Sequence, residues 1–264
     1  MKGKIHDYIK SGKRSKYRKS EMWFYIDNVA TYLISKGKNI VVEQMPGASS
    51  VEVKKFILGS CLGMALIQRH TVAIHGGTVA INDKAVILTG DSGAGKSTLT
   101  AAFRILGYKF MSDDVAATFI NLDSLEYPLV CPGYPRQKLC LDAMNSMNYN
   151  HDELVKIDEN RNKYSIPTND SFISNNIPLG AIVEISVGES NEVEIEEVDG
   201  LDKIELLLKN IYRIEITRKT GISDKYLNKC IHIAKTVPFY RLKRPKNKLT
   251  VKEQINLIRN IGVL

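Results

Sequence analysis

The octapeptide Gly90-Asp91-Ser92-Gly93-Ala94-Gly95-Lys96-Ser97 is the feature that most constrains this chain. It fits the pattern G-x-x-x-x-G-K-[ST] without substitution, a match expected by chance in on the order of one per cent of chains this long. Its surroundings agree with it. Ala85-Val86-Ile87-Leu88-Thr89 is apolar or β-branched throughout, the signature of a strand buried on both faces. Ser97 to Leu106 reads as a helix stopped by Gly107. In such a strand–turn–helix the glycines let successive N–H groups point inward at phosphate oxygens. The helix N-terminus adds its partial positive charge. Lys96 sets an ammonium against the β- and γ-phosphates, and the Ser97 hydroxyl suits Mg²⁺. Gly90, Asp91, Ser92, Gly93, Ala94, Gly95, Lys96, Ser97 and Thr98 are therefore the expected contacts of a nucleoside triphosphate. The competing reading of these residues is a glycine turn capped by Ser97.

What is done with the nucleotide depends on what else reaches its γ-phosphate. The next expected strand, Tyr108 to Met111, ends at Ser112-Asp113-Asp114, and open α/β sheets place ligand groups at such strand ends. One carboxylate there can hold Mg²⁺ while the other accepts a proton from an attacking hydroxyl; the alternative is a carboxylate pair that caps a turn. Ser112 either orients Asp113 or satisfies backbone groups. His75, followed by Gly76-Gly77, lies one hairpin before the glycine motif, and by itself reads as structural or catalytic.

Around this centre the chain alternates short strands and helices. Residues 51–69 place apolar side chains on a broad helical face, Asn39 to Val42 reads as a strand, and residues 21–50 are otherwise mixed. Thr71 to Ile74, Thr78 to Ile81, Val115 to Ile120, Pro128 to Cys131, Gly180 to Val187, Glu192 to Val198 and Pro238 to Leu242 read as strands. Leu201 to Arg213, Asp224 to Lys235 and Val251 to Asn260 read as helices. The polar stretch His151 to Asn176 has weak periodicity and suggests loops and short strands. The expected fold is α/β, a mixed sheet with flanking helices. It divides into a basic arm with a small accessory region over 1–50 and a catalytic core over 51–264.

Charge is concentrated at the start. Residues 1–20 carry eight Lys and Arg against Asp7 alone, in a chain whose net charge is +8. Such an arm suits nucleic acid, an acidic peptide or a phosphorylated partner, or is simply a solvated, frayed terminus. Neither it nor the second basic cluster, Arg241 to Lys248, carries the interleaved aromatics of a single-strand stacking platform, so nucleic acid is not the expected partner. A 44% hydrophobic chain with a quarter of its residues charged excludes a disordered tail. The longest apolar stretch, Phe56 to Ile67, is broken by Gly59, Ser60 and Gly63 and falls short of the ~18 residues that span a bilayer. Residues 1–20 lack the apolar run of a signal peptide. Cys61, Cys131, Cys140 and Cys230 form no C-x-x-C pair, which argues against structural zinc and disulfides. The expected location is the cytoplasm, with no membrane partner.

His75-Gly76, the motif Gly90–Ser97 about fifteen residues later, and Asp113-Asp114 after Gly107 together resemble the core of the bacterial HPr kinase/phosphorylase family. The resemblance implies ATP with Mg²⁺ at the glycine motif, Asp114 as general base on a protein serine, His75 beside it, and Asp113 near the metal. It also implies a symmetric homo-oligomer. Two family features are missing: a large separate N-terminal domain, and a Leu-Glu-x-Arg-Gly-Leu-Gly signature, in whose region this chain reads Pro132-Gly133-Tyr134-Pro135-Arg136-Gln137-Lys138-Leu139. The signature glutamate's metal contact and the reverse phosphorylase reaction are accordingly not carried over. That segment, with Leu141-Asp142-Ala143 and Val237-Pro238-Phe239-Tyr240-Arg241-Leu242, is similar to a shorter branch of HPr-kinase-like proteins. Members of that branch are associated with ribosomally made peptides, lasso peptides among them, and phosphorylate a precursor serine.

Arg136 and Lys138 follow a stiff Pro-Gly-x-Pro loop and either clamp γ-phosphate or substrate charge or form an exposed basic loop. Lys163 and Arg213 are weaker candidates for the same clamp and otherwise read as solvated surface. The expected reaction is in-line transfer of the γ-phosphoryl group of ATP to a serine hydroxyl of a peptide or protein. The competing readings are a kinase of free serine, an HPr kinase proper, and an ATP-gated binding module that transfers nothing.

Overall fold

The computed structural model describes residues 2–123, 126–147, 154–158 and 162–261. The chain divides into two units, Met1–Thr71 with Arg213–Tyr226, and Val72–Tyr212 with Leu227–Leu264.

In the first unit, Ser15–Tyr17, Glu21–Ile26, Ala30–Ser35 and Asn39–Gln44 form an antiparallel sheet in chain order. Met22, Phe24, Tyr32 and Ile34 point to its covered face, with the Phe24 and Tyr32 rings stacked 4.6 Å apart. The helical stretch anticipated over 51–69 covers that face as Ser50–Phe56, a π turn at Ile57–Cys61, and Leu62–Gln68. It contributes Val53, Cys61 and Met64 to the core. The helix Ile214–Thr220, not anticipated from the sequence, adds Ile216 to the same cluster. These contacts place the helical stretch over 50–68 with the first unit. The basic arm is likewise folded rather than frayed. It contains the helix Lys2–Lys10 and the edge strand Ser15–Tyr17. The ring of Tyr8 stacks on Trp23 at 5.9 Å, and the ammonium groups of Lys13 and Lys16 lie 4.9 and 4.7 Å from the Tyr8 ring centre. Cation–π and ring contacts thus tie down a segment whose charge count alone suggests solvation.

In the second unit, the described residues form an eight-stranded mixed sheet and a separate three-stranded antiparallel one. The strand Lys84–Gly90, which leads into the glycine motif, lies between Ala73–Ile81, antiparallel to it, and Ile177–Gly188, parallel to it. Phe239–Pro245 continues the sheet in parallel, and Glu194–Val198 forms the antiparallel edge. Helix Lys96–Ile105 and helix Val251–Arg259 cover one face, packing Leu99, Phe103, Ile255 and Ile258 against Val79, Val86, Leu88, Val183 and Leu242. Full burial of each such side chain contributes about 1.5–3 kcal/mol. This is the mixed sheet with flanking helices expected of the sequence.

The two short strands anticipated at 71–74 and 78–81 are one strand that changes partners. Its residues Ala73, Ile74 and His75 pair with Val115–Phe119, whereas Gly76 to Ile81 pair with Lys84–Gly90, and Thr78 to Ala80 also pair with Lys109–Ser112. The acidic turn 113–114 therefore sits where this strand switches from one neighbour to the next. The three-stranded sheet consists of Arg136–Cys140, Lys163–Pro167 and Val155–Asp158. Arg136 and Lys138 thus stand on the strand that follows the Pro132–Pro135 loop, not on an exposed basic loop. Of the polar stretch 151–176, residues 151–153 and 159–161 lie outside the described residues. Helix Leu201–Lys209 ends short of the expected Arg213, at the Asn210 cap.

Candidate active site

The glycine motif begins at the carboxyl end of the buried inner strand Lys84–Gly90. Gly90, Gly93 and Gly95 have φ of 130°, 85° and 107°, backbone that L side chains rarely adopt. Helix Lys96–Ile105 starts at once, its first turn closed by the Leu99 N–H donating to the Gly95 carbonyl at 2.9 Å. The Lys96 ammonium curls back over the loop and donates to the carbonyls of Gly90 at 2.8 Å and Asp91 at 2.9 Å. Burial above all pushes its pKa down, with the Asp114 and Asp91 carboxylates opposing. Asp91, Ser92 and Gly93 are exposed, while the Ala94 side chain packs into the core and Ser97 and Thr98 are half-buried.

Arg244, noticed in the sequence only as part of a basic cluster, supports this loop. Its Nε donates to the Ala94 carbonyl at 2.8 Å and its Nη2 to the Gly93 carbonyl at 3.4 Å. A guanidinium that holds these two carbonyls leaves the loop amides free to turn toward phosphate. A second support is Lys209, whose ammonium lies 2.9 Å from Glu184 and 3.7 Å from Asp91. No local motif marks either residue, because each reaches the loop from a distant strand or helix end.

The acid turn is held against the same strand system. His75 pairs with Val115, and Gly76 pairs with Thr89, the residue before the glycine motif. Neighbouring strands lie about 4.8 Å apart, so the register sets the acid turn about 10 Å from the strand that carries the motif. Both glycines of His75-Gly76-Gly77 are sterically required. A Cβ on Gly76 would run into the Leu88 carbonyl oxygen, and one on Gly77 into Thr100 Oγ1 on the motif's helix. The Asp114 carbonyl accepts from the Gly76 N–H at 3.1 Å and meets His75 Nδ1 at 3.0 Å. Because a carbonyl only accepts, Nδ1 carries the proton and Nε2 keeps its lone pair. Burial first, and the Lys96 charge next, lower the His75 pKa and favour this neutral ring.

The two aspartates differ in environment. Asp113 is buried. Its Oδ2 accepts from the Lys138 N–H at 3.0 Å, and its Oδ1 is enclosed without a hydrogen-bond partner. Burial, then the Asp114 charge, push its pKa up to about 7. Asp114 is partly exposed and forms an ion pair with the Lys138 ammonium. Burial pushes its pKa up, but the Lys138 charge and hydrogen bond outweigh this and hold it below the ordinary carboxylate range. Ser112 does not orient Asp113: its hydroxyl donates to Thr78 Oγ1 at 2.9 Å.

The strand Arg136–Cys140 links the two halves. Gln137 Nε2 donates to the Ser97 carbonyl at 3.0 Å, and the next residue's amide holds Asp113. The Arg136 guanidinium donates to Ser165 Oγ at 3.0 Å. Lys163 is half-buried and stands on the same face of this sheet as Lys138. Arg213 lies in the first unit and donates to Ser60 Oγ at 2.7 Å.

Among the described residues no three His, Cys, Asp or Glu side chains cluster to hold a metal by themselves. The residues present do fit Mg²⁺ bound together with a nucleotide. The enclosed Asp113 Oδ1 lacks a partner, and the strand that holds Asp113 also touches Ser97. The Ser97 hydroxyl and Asp113 would be the protein ligands, the rest coming from phosphate and water.

No family model matches the chain, and no curated protein matches it. Among solved structures, it is similar to the Hpr(Ser) kinase/phosphatase from Coxiella burnetii. The two are 12% identical with a TM-score of 0.36, over 71% of this chain and 94% of that one. Among the described residues no helix is long and apolar enough to cross a membrane.

Proposed function

We propose that this protein is an ATP-dependent phosphotransferase that moves the γ-phosphoryl group to a serine hydroxyl of a peptide or protein. The observation that carries the reading is the strand His75-Gly76-Gly77, which ties an acidic turn to a phosphate-binding loop. Loop amides and Lys96 bind the β- and γ-phosphates, the ammonium exchanging the Gly90 and Asp91 carbonyls for phosphate oxygens. Asp114, ionised at neutral pH, accepts the serine proton as the serine oxygen attacks phosphorus in line. The bond from phosphorus to the β,γ-bridging oxygen breaks, and ADP leaves with that electron pair. His75 acts as a positioning residue, since its Nδ1–H fixes the main chain of the base. Lys138 is shared between Asp114 and the incoming phosphoryl charge. Mg²⁺, when bound at Ser97 and Asp113, neutralises phosphate charge.

The sequence resemblance favours a ribosomally made precursor peptide, of lasso type, as acceptor. The test is mass spectrometry after incubation with ATP and Mg²⁺ of serine-containing precursor peptides, HPr-like protein and free serine in parallel. Addition of one phosphoryl group to a peptide serine is the expected result. Label on free serine alone would make this a small-molecule kinase. ATP binding with no acceptor labelled, including precursors encoded beside the chain, would leave a binding module in its place.

A further inference from the structure

The three-stranded sheet beside the acid turn has two unlike faces. Arg136 pairs with Pro167, Lys138 with Ser165 and Cys140 with Lys163, so Arg136, Lys138, Ser165 and Lys163 share one face, and Gln137, Leu139, Tyr164 and Ile166 the other. The second face is packed: Leu139 and Ile166 are buried against Ala101 of the glycine motif's helix. The first face is cationic. Arg136 spends its guanidinium on a neutral hydroxyl, and Lys138 pairs with Asp114. Lys163, a diagonal neighbour of Lys138 about 7–8 Å away across the ladder, has no carboxylate paired with its ammonium among the described residues. Like charges at this spacing repel one another, so the face is poised to receive an anion.

The position of Lys163 selects which anion. Lys163 shares the face of Lys138, whose ammonium pairs with Asp114 at the acid turn, and the strand carrying Lys138 reaches the glycine motif through the Gln137 bond to the Ser97 carbonyl at 3.0 Å. An anion that meets both groups at once lies between them. In the phosphotransferase reading, on which this inference rests, that place belongs to the γ-phosphoryl group, because the motif's amides already hold the phosphates nearer the nucleoside. We propose that Lys163 binds the γ-phosphoryl group directly and gives the site its preference for ATP over ADP. An exposed lysine tolerated on a strand would have no such selectivity.

Calorimetric titration of the full chain with Mg²⁺ tests this, using ADP and the non-hydrolysable β,γ-imido analogue of ATP. Lys163→Met is expected to weaken the triphosphate analogue about tenfold, the loss of one charge-assisted contact, while ADP affinity stays within about twofold. Retained ADP binding also reports that the variant is folded. Lys163→Arg is expected to keep most of the preference, since the charge remains. Equal weakening of both nucleotides, or no weakening of either, overturns the proposal, as does a raised acceptor KM with triphosphate affinity intact. A wild-type chain that binds neither nucleotide overturns the phosphate-loop reading itself, whereas one that binds both while Lys163→Met changes nothing overturns the role of Lys163 alone.

Discussion

At the scale of single residues, the site is built from charges placed so that each needs another. Glu184 is the clearest structural case. It is 5% exposed on the strand beside the glycine motif, and accepts from Lys209 at 2.9 Å, Asn210 at 3.3 Å and Arg241 at 3.3 Å. Burial pushes its pKa up, but these three donors outweigh burial and lower it. A carboxyl whose folded pKa lies below its unfolded value stabilises the fold fully above the unfolded value, about 4.3, and loses that contribution as pH falls through the folded one. Glu184→Gln is therefore expected to cost about 1–3 kcal/mol at neutral pH, with the difference from wild type shrinking below about pH 4. Urea unfolding of both proteins across that range measures it, and a pH-independent difference would contradict the assignment. Of the residues at the site, those in local motifs were legible in the sequence: the run from Gly90 to Ser97, His75, and Asp113-Asp114. Arg244, Lys209 and Glu184 were not, and Lys163 was legible only as a weaker clamp candidate. Their places follow from strand register and helix ends far along the chain, which no short pattern encodes.

At the scale of elements, close backbone approach explains a motif that composition leaves ambiguous. Gly77 faces Thr100, whose hydroxyl donates to the Lys96 carbonyl at 2.9 Å in the first turn of the motif's helix. Gly77→Ala is expected to destabilise by about 1–3 kcal/mol through overpacking, and by less when Thr100 is also Ala, a coupling that a double-mutant cycle reads directly. Additive losses would show that the strand and helix do not meet there. Most strands and helices of the second unit were legible within two or three residues, because buried parallel strands and amphipathic helices carry strong periodic signals. The strand Arg136–Cys140 was not, since Pro132 and Pro135 mark a loop whose end depends on pairing with Lys163–Pro167. The single strand Ala73–Ile81 read as two because Gly76-Gly77 breaks the apolar pattern in the middle.

At the scale of the whole molecule, the chain organises its charge and its core by unit. The first twenty residues hold most of the net charge, yet Tyr8, Trp23, Lys13 and Lys16 fold them together, contacts between side chains that a charge count does not see. The division after Thr71 was illegible for the same reason, as the return of Arg213–Tyr226 to the first unit is a long-range event. In the proposed reading, nucleotide acts on the second unit. ATP with Mg²⁺ at a hundred times its Kd is expected to stabilise by about 2.7 kcal/mol, raising Tm by about 5–10 °C, and Lys96→Ala should abolish the shift in a thermal melt. The central claim joins that grip to chemistry at the acid turn, and single-turnover transfer from labelled ATP, compared between wild type and Asp114→Asn at matched nucleotide affinity, tests it most directly. Loss of transfer by on the order of a hundredfold or more with ATP binding intact is the predicted result; transfer at the wild-type rate in Asp114→Asn would contradict the account.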